Sequence, residues 1–255
     1  MFLHTPSPSH PQRIISLVPS ITELLYDLNL SVEVIGITKF CVHPAEWFQT
    51  KEKVGGTKNV HIEKVKTLLP DLIIASKEEN LQEQIETLSK YFPVFLTDVC
   101  TYDDAIKMIS DIGEITARKT EAFTISNTIQ AEFDSLIKAS YPINTTYFIW
   151  KDPYMTIGGD TFIHDLLEKI GLTNMFSEHN RYPQTSLEDL AILNPQLILL
   201  SSEPYPFKEK HIKEIQTFLP NSKVMLVDGE MFSWYGSRMK YMLAYFNKLV
   251  AELTV

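Results

Sequence analysis

Four segments of this chain bring aromatic rings, small residues and charges together, and each could contact a ligand. The first is Thr38–Pro44 with Trp47 nearby, carrying Phe40 and His43; Lys58 lies a little further on. The second runs from Trp150 to Gly159 and carries Tyr154 and Met155. The third, Asn180–Pro183, carries Arg181 and Tyr182. The fourth, Asp228–Arg238, carries Glu230, Phe232, Trp234, Tyr235 and Arg238. Aromatic residues in glycine-bearing loops are poorly explained by core packing. They suit a flat, largely apolar ligand with polar edges, such as a corrin or a porphyrin. Lys58, Arg181 and Arg238 could instead bind an anionic ferric siderophore through charge-assisted hydrogen bonds.

Other chemistries have weaker support. The seven histidines are scattered, with no i, i+4 pair and no alternating array, so no dedicated metal site is assigned. His43 and His164 could share a metal only if both their loops face one site. Asp228, Glu230 and His43 could form an acid–base cluster. No nucleophile elbow, Walker loop or zinc-protease motif accompanies them, and no catalytic residue is assigned. Gly158-Gly159 ahead of a helix has the look of a phosphate-binding turn, a weak fingerprint by itself.

These loops need a scaffold, and the sequence states part of it twice. Residues 62–76 and 187–201 align without a gap: Glu63 with Glu188, Pro70 with Pro195, Leu72-Ile73 with Leu197-Ile198, Ser76 with Ser201. Each copy reads as a short amphipathic helix, a proline stop and a buried parallel strand. A second echo links 21–30 with 163–172. Alternating strands and helices predict an α/β protein with two Rossmann-like lobes and parallel sheets. Between Pro93 and Pro142 no proline occurs, and isoleucines recur at helical spacing. One long helix over 102–139 is therefore expected to join the lobes. The expected boundaries are a disordered segment 1–12, an N-terminal lobe 13–101, the helix, and a C-terminal lobe 140–255. At the start of the first helix, Ser20 with Glu23 has the spacing of a capping box. Two lobes imply a cleft, and a cleft implies a ligand.

The 255 residues include 44% hydrophobic ones, enough for two cores, and a net charge of −9 that argues against a nucleic-acid partner. Two cysteines are too few for a disulfide framework. The first residues lack a cationic n-region and an apolar h-region, so a signal peptide is not expected from them.

The run Arg13-Ile-Ile-Ser-Leu-Val-Pro-Ser-Ile-Thr-Glu-Leu-Leu, then Val34-Ile-Gly-Ile-Thr, Val54-Gly-Gly, the two Glu-headed helices and the Pro-Asp-Leu-Ile-Ile turn resemble the helical-backbone (class III) substrate-binding proteins of ABC importers. The resemblance is to cobalamin and iron-chelate binders and covers about residues 13–252. It implies a non-enzymatic protein that captures a cobalamin or other corrinoid, a haem or a ferric siderophore between two lobes and delivers it to a permease. It implies no covalent cofactor, and a monomer is expected. Glu63 and Glu188 match a pair of lobe-surface glutamates that grip permease arginines. Phe40, Met155, Tyr182 and Glu230 fall on ligand-contact positions. Trp234 stands where an arginine would, and Thr57 where a tryptophan would; these departures bear on cobalamin itself. The family implies a periplasmic or cell-surface location, whereas the missing leader implies a cytoplasmic one. A cytoplasmic corrinoid or haem carrier and an enzyme with an acid–base cluster are the alternatives.

Overall fold

The structure is a computed structural model describing residues 2–3 and 8–253. The chain divides into two compact units, each discontinuous in sequence. Unit 1 is Met1–Val99, Asp103–Ala131 and Tyr235–Lys240; unit 2 is Cys100–Tyr102, Glu132–Trp234 and Tyr241–Val255.

Unit 1 holds strands β1 (Phe2–Leu3), β2 (Ile14–Ser16), β3 (Val34–Ile37), β4 (Glu52–Lys53), β5 (Leu72–Ser76) and β6 (Val94–Thr97) in the spatial order β1-β6-β5-β2-β3-β4. Among the described residues of this sheet only β1 runs antiparallel to its neighbour, and Gly55–Gly56 pairs separately with Asn59–Val60 in a small antiparallel hairpin. Unit 2 holds β7 (Ile143–Phe148), β8 (Leu172–Asn174), β9 (Leu197–Ser201) and β10 (Lys223–Val227), all parallel, in the order β8-β7-β9-β10. The repeated runs are β5 and β9, both buried from end to end. Continuous apolar strands are what a parallel sheet covered on both faces requires. Without the two-residue edges β1 and β4, unit 1 reads β6-β5-β2-β3, the same order as β10-β9-β7-β8. In each unit the first strand therefore lies between the second and the third. The crevice at the carboxyl ends of the first and third strands is the switch point where such sheets bind ligands.

Besides a short helix at Ala45–Thr50 and a 3-10 turn at Ser237–Tyr241, the helices of the described residues are α1 (Pro19–Asp27), α2 (Ile62–Leu68), α3 (Gln82–Ser89), α4 (Tyr102–Ile115), α5 (Lys119–Asp134), α6 (Phe162–Lys169), α7 (Leu187–Leu193), α8 (Glu209–Phe218), α9 (Glu230–Ser233) and α10 (Met242–Leu253). The internal repeat extends to the backbone. Helices α2 and α7 both end on a left-handed residue, Leu69 (φ 47°) and Asn194 (φ 50°), just before Pro70 and Pro195.

Three expectations change. The helix over 102–139 is two helices, α4 and α5, broken at 116–118. The break is a Schellman turn: Arg118 N–H donates to Gly113 O at 2.7 Å and Ala117 N–H to Glu114 O at 3.2 Å, with Ala117 at φ 57°. Gly113 is required by contact, since a Cβ there would lie 2.2 Å from Ala122 Cβ. Second, Ser20 is inside α1; Val18 is the N-cap, Pro19 opens the helix, and Glu23 is used elsewhere. Third, within the segment 1–12 expected to be disordered, Phe2–Leu3 form β1 and Pro11 is buried, while residues 1 and 4–7 lie outside the described set. Because alanine pays for its Cβ in the left-handed region, Ala117→Gly should stabilise the protein by about 1 kcal/mol. Equilibrium urea unfolding measures this, and a loss of stability would contradict the Schellman assignment.

Candidate functional site

Each unit gathers its loops at the carboxyl ends of its strands. In unit 1, β3 leads into 38–44. Thr38 Oγ1 and the Thr22 hydroxyl lie 3.2 and 3.1 Å from Cys41 Sγ. Burial pushes the Cys41 thiol's pKa up, so it anchors the loop as a neutral group. Phe40 projects from this anchor, 51% exposed, with Lys39 Nζ 5.1 Å from its ring centroid. A Cβ on Gly56 would come within 3.1 Å of the Phe40 ring, so glycine there lets the ring lie on the backbone. His43 is half-buried, and Lys58 is exposed with its ammonium donating to Glu78 O at 2.6 Å.

In unit 2, Tyr154 and Met155 form a short strand paired with Gln184–Thr185. Tyr154 donates to Glu214 at 3.3 Å, and Lys151 Nζ binds the same carboxylate at 2.5 and 2.6 Å. Desolvation, with Glu214 adding to it, raises the Tyr154 pKa and keeps the phenol protonated. Arg181 is exposed at φ 57°, its backbone N–H held by Asp160, and Tyr182 and Glu230 are half-exposed. Phe40, Tyr154, Met155, Arg181, Tyr182 and Glu230 thus keep surface available to a ligand.

Four expected contacts are instead built into the protein. Phe232 is fully buried, its ring 5.0 Å from Tyr147 and 4.9 Å from Phe246. Trp234 is 7% exposed, and its indole N–H donates to Glu203 at 2.9 Å. Tyr235 is 5% exposed, and its hydroxyl donates to Ser76 Oγ at 3.0 Å. Arg238 grips Glu23 of α1 with two bonds of 2.8 and 2.9 Å. Aromatics after a strand read alike whether they point outward or close the core, so spacing could not separate these from Phe40.

The glycine pair is no phosphate turn. Gly158 N–H donates to Arg181 O at 2.7 Å and Gly159 N–H to His179 O at 2.8 Å, so neither amide is offered to an anion. A Cβ on either would meet a carbonyl oxygen at 2.3 or 2.0 Å. Glycine is there for backbone approach. Ser76 and Ser201 act as strand-end caps, each also receiving a tyrosine hydroxyl. His164 Nδ1 is 3.3 Å from the Asn174 amide. Among the described residues no group of three or more His, Cys, Asp or Glu is placed to hold a metal ion. Among those same residues no helix is long and apolar enough to cross a membrane.

Three residues have roles that the sequence did not single out, although Glu203 lies in the strand-end segment 201–207 that could have lined a ligand site. Glu203 accepts from the Ser233 hydroxyl at 2.8 Å as well as from Trp234, and burial raises its pKa. Trp150, inside a flagged loop but not singled out, is 41% exposed. His211, 2% exposed, accepts from Lys208 N–H through Nδ1 at 2.9 Å and packs on Tyr205 and Phe207. Desolvation lowers the His211 pKa, and Lys151 adds to the effect. As pH falls through about 6.5, the unfolded chain therefore binds this proton first, and the stability owed to neutral His211 is withdrawn. The melting-temperature gap between wild type and His211→Asn should narrow from pH 8 to pH 5.5. A gap independent of pH would contradict this.

Two parallel-sheet units with matching strand order, each presenting its loops at the strand ends, define an α/β binding protein. The chain belongs to the Periplasmic binding protein family, whose model matches residues 14–224. It is a family of transport-associated binding proteins, not enzymes. Among relatives, the Vitamin B12-binding protein of Pectobacterium carotovorum subsp. carotovorum (strain PC1) is 26% identical over 249 residues, spanning 94% of this chain and 88% of the relative. Among solved structures, the periplasmic vitamin B12 binding protein of Vibrio cholerae superposes with a TM-score of 0.77 at 20% identity, covering 96% of this chain and 98% of that one. The periplasmic heme-binding protein BhuT, in complex with two hemes, gives 0.79 at 15% identity, covering 95% and 99%. At these identities the two structures share the fold.

Proposed function

We propose that this protein is the solute-binding component of an ABC importer, capturing a metal chelate, a corrinoid foremost, through the loops at the carboxyl ends of its strands. The observation that carries this reading is Phe40, an aromatic ring held half in solvent by a rigid buried anchor at the end of β3. The relatives named for vitamin B12 and heme support the chelate class. In unit 1 the candidate contacts are Phe40 and Lys39; in unit 2, taken by itself, they are Tyr154, Met155, Arg181, Tyr182 and Glu230. His43 and Lys58 are further candidate contacts of unit 1. Titration of the purified protein with cobinamide, cobalamin, haemin and ferric siderophores tests the reading, followed by the chelate's absorption spectrum. Affinity tighter than roughly 10 μM for one of them is expected; none at that level ends it.

Delivery is assigned to Glu63 and Glu188. They occupy equivalent first-turn positions of α2 and α7, and both are exposed. Glu63 is paired with Lys66 at 2.8 Å, an exposed ion pair weak enough to exchange for a partner's cation. The double substitution Glu63→Ala, Glu188→Ala should abolish stimulation of the cognate permease while chelate binding persists. Loss of chelate binding would move both residues into the ligand site.

A further inference from the structure

Helices α3 and α8 occupy the same place in the two units, each leading from one buried strand of the repeat into the next strand of its sheet. At the third residue of each helix a side chain accepts a backbone N–H. In α3 it is Gln84, whose Oε1 takes the Val60 N–H at 3.1 Å. In α8 it is His211, whose Nδ1 takes the Lys208 N–H at 2.9 Å, the backward half of a capping box. An amide keeps one charge state across the neutral range; an imidazole does not.

The hydrogen bonds fix the tautomer of this buried ring. Nδ1 accepts, so the proton of the neutral imidazole is on Nε2, 3.5 Å from the Tyr205 hydroxyl oxygen. A second proton can go only to Nδ1, where it faces the Lys208 N–H, donor against donor. The new charge would lie 2% exposed, among the cations Lys151, Lys208 and Lys210. Glu214 opposes them, but it already holds Lys151 and the Tyr154 hydroxyl. Burial, reinforced by Lys151, keeps the ring's pKa below the ordinary histidine value.

His211 also backs the chain beside it. Its ring lies 5.6 Å from that of Tyr205 and 5.4 Å from that of Phe207. Tyr205 N–H donates to Ile149 O at 3.3 Å, and its ring meets Trp150 edge to face at 5.7 Å. Ile149 N–H donates in turn to Met155 O at 3.0 Å. One neutral ring thus supports segment 205–208, and that segment supports the hairpin 149–155.

We propose that His211 is a proton-operated latch of unit 2: neutral, it pins segment 205–208 and hairpin 149–155; protonated, it frees both. Opening carries His211 into water, where it titrates at about pH 6.5. Below that pH the open form takes up a proton that the closed form resists. The open population therefore grows, by up to about tenfold between pH 8 and pH 5.5. The hairpin carries Tyr154 and Met155, so a chelate that leaves through the open form should leave faster by the same factor. That consequence rests on the reading of the protein as a chelate binder.

The test is amide hydrogen exchange of the whole protein at pH 8 and pH 5.5, corrected for intrinsic rate, on wild type and His211→Gln. The amides of Ile149, Tyr205 and Lys208 should exchange faster than those of the central strand β9, the mark of local opening. In wild type their protection should fall by up to about tenfold at the lower pH. In His211→Gln, which keeps the acceptor as Gln84 does, it should hold within about twofold. An equal fall in both proteins, no fall in wild type, or exchange as slow as that of β9 overturns the proposal. A second measurement needs no variant: nitrogen-15 shifts of the His211 ring should show Nε2 protonated at pH 8 and titration below about pH 6.5. The other tautomer, or titration at or above that pH, also overturns it. Dissociation of cobinamide or haemin should quicken from pH 8 to pH 5.5 in wild type and not in His211→Gln. Dissociation independent of pH in both would overturn the link to release. A protein that binds neither chelate nor a ferric siderophore ends the chelate reading, while the exchange result still decides the latch.

Discussion

Phe232→Ala should lower the unfolding free energy by about 3–5 kcal/mol, the usual cost of emptying a buried phenylalanine site. The ring is fully buried and packs on Tyr147 and Phe246, with Tyr245 at 6.2 Å. These neighbours come from β7 and α10, so truncation opens a cavity between a central strand and the C-terminal helix. Rigid elements on both sides limit collapse, which places the cost in the upper part of that range. Urea unfolding gives the loss, and chelate titration of the folded variant gives the affinity. The structure expects a large first effect and a small second one. A loss below about 1 kcal/mol with weakened binding would restore Phe232 as a ligand contact.

Arg238→Ala should cost about 3–5 kcal/mol, for a different reason. Arg238 and Glu23 have side chains only 10% and 14% exposed and share a bidentate pair. Removing the guanidinium leaves a carboxylate inside unit 1 without its main counter-charge. The neighbouring Lys240–Asp27 pair closes at 2.9 Å, with Asp27 one turn further along α1. Adding Glu23→Met to the alanine variant should recover most of the loss, because the buried charge goes with it. Additive losses in the double variant would mean that the two groups contribute independently. Arg238→Lys should fall between, since one ammonium cannot reproduce the two-pronged contact.

Much of this scaffold was legible in the residues. Strands at 14–16, 72–76 and 197–201 follow from continuous apolar runs, and the two α–Pro–β copies came out with the same left-handed helix ends. The parallel sheets followed from alternation of elements. The break at 116–118 was illegible because the isoleucine spacing runs through both α4 and α5. Each helix buries a face, and the turn uses Ala117 where glycine is the usual signal. Ser20 and Glu23 have capping-box spacing, but Pro19 already opens the helix and Glu23 pairs with a residue far along the chain.

The site was legible as loops and not as side chains. Three of the four aromatic segments follow a sheet strand directly, at 38–44, 150–159 and 228–238, whereas Asn180–Pro183 leads into the short strand Gln184–Thr185. Local sequence does not say which ring turns outward. Phe40 and Trp150 remain in solvent, whereas Phe232, Trp234 and Tyr235 are claimed by Tyr147, Glu203 and Ser76, residues distant in sequence.

The sequence by itself determined the strands, the repeated unit and the family, because periodicity and local motif are short-range properties of the chain. Tertiary structure alone decided which charges are spent on each other and which rings stay free. Those outcomes depend on contacts between residues far apart in sequence, such as Arg238 with Glu23 and Asn80 with Leu17.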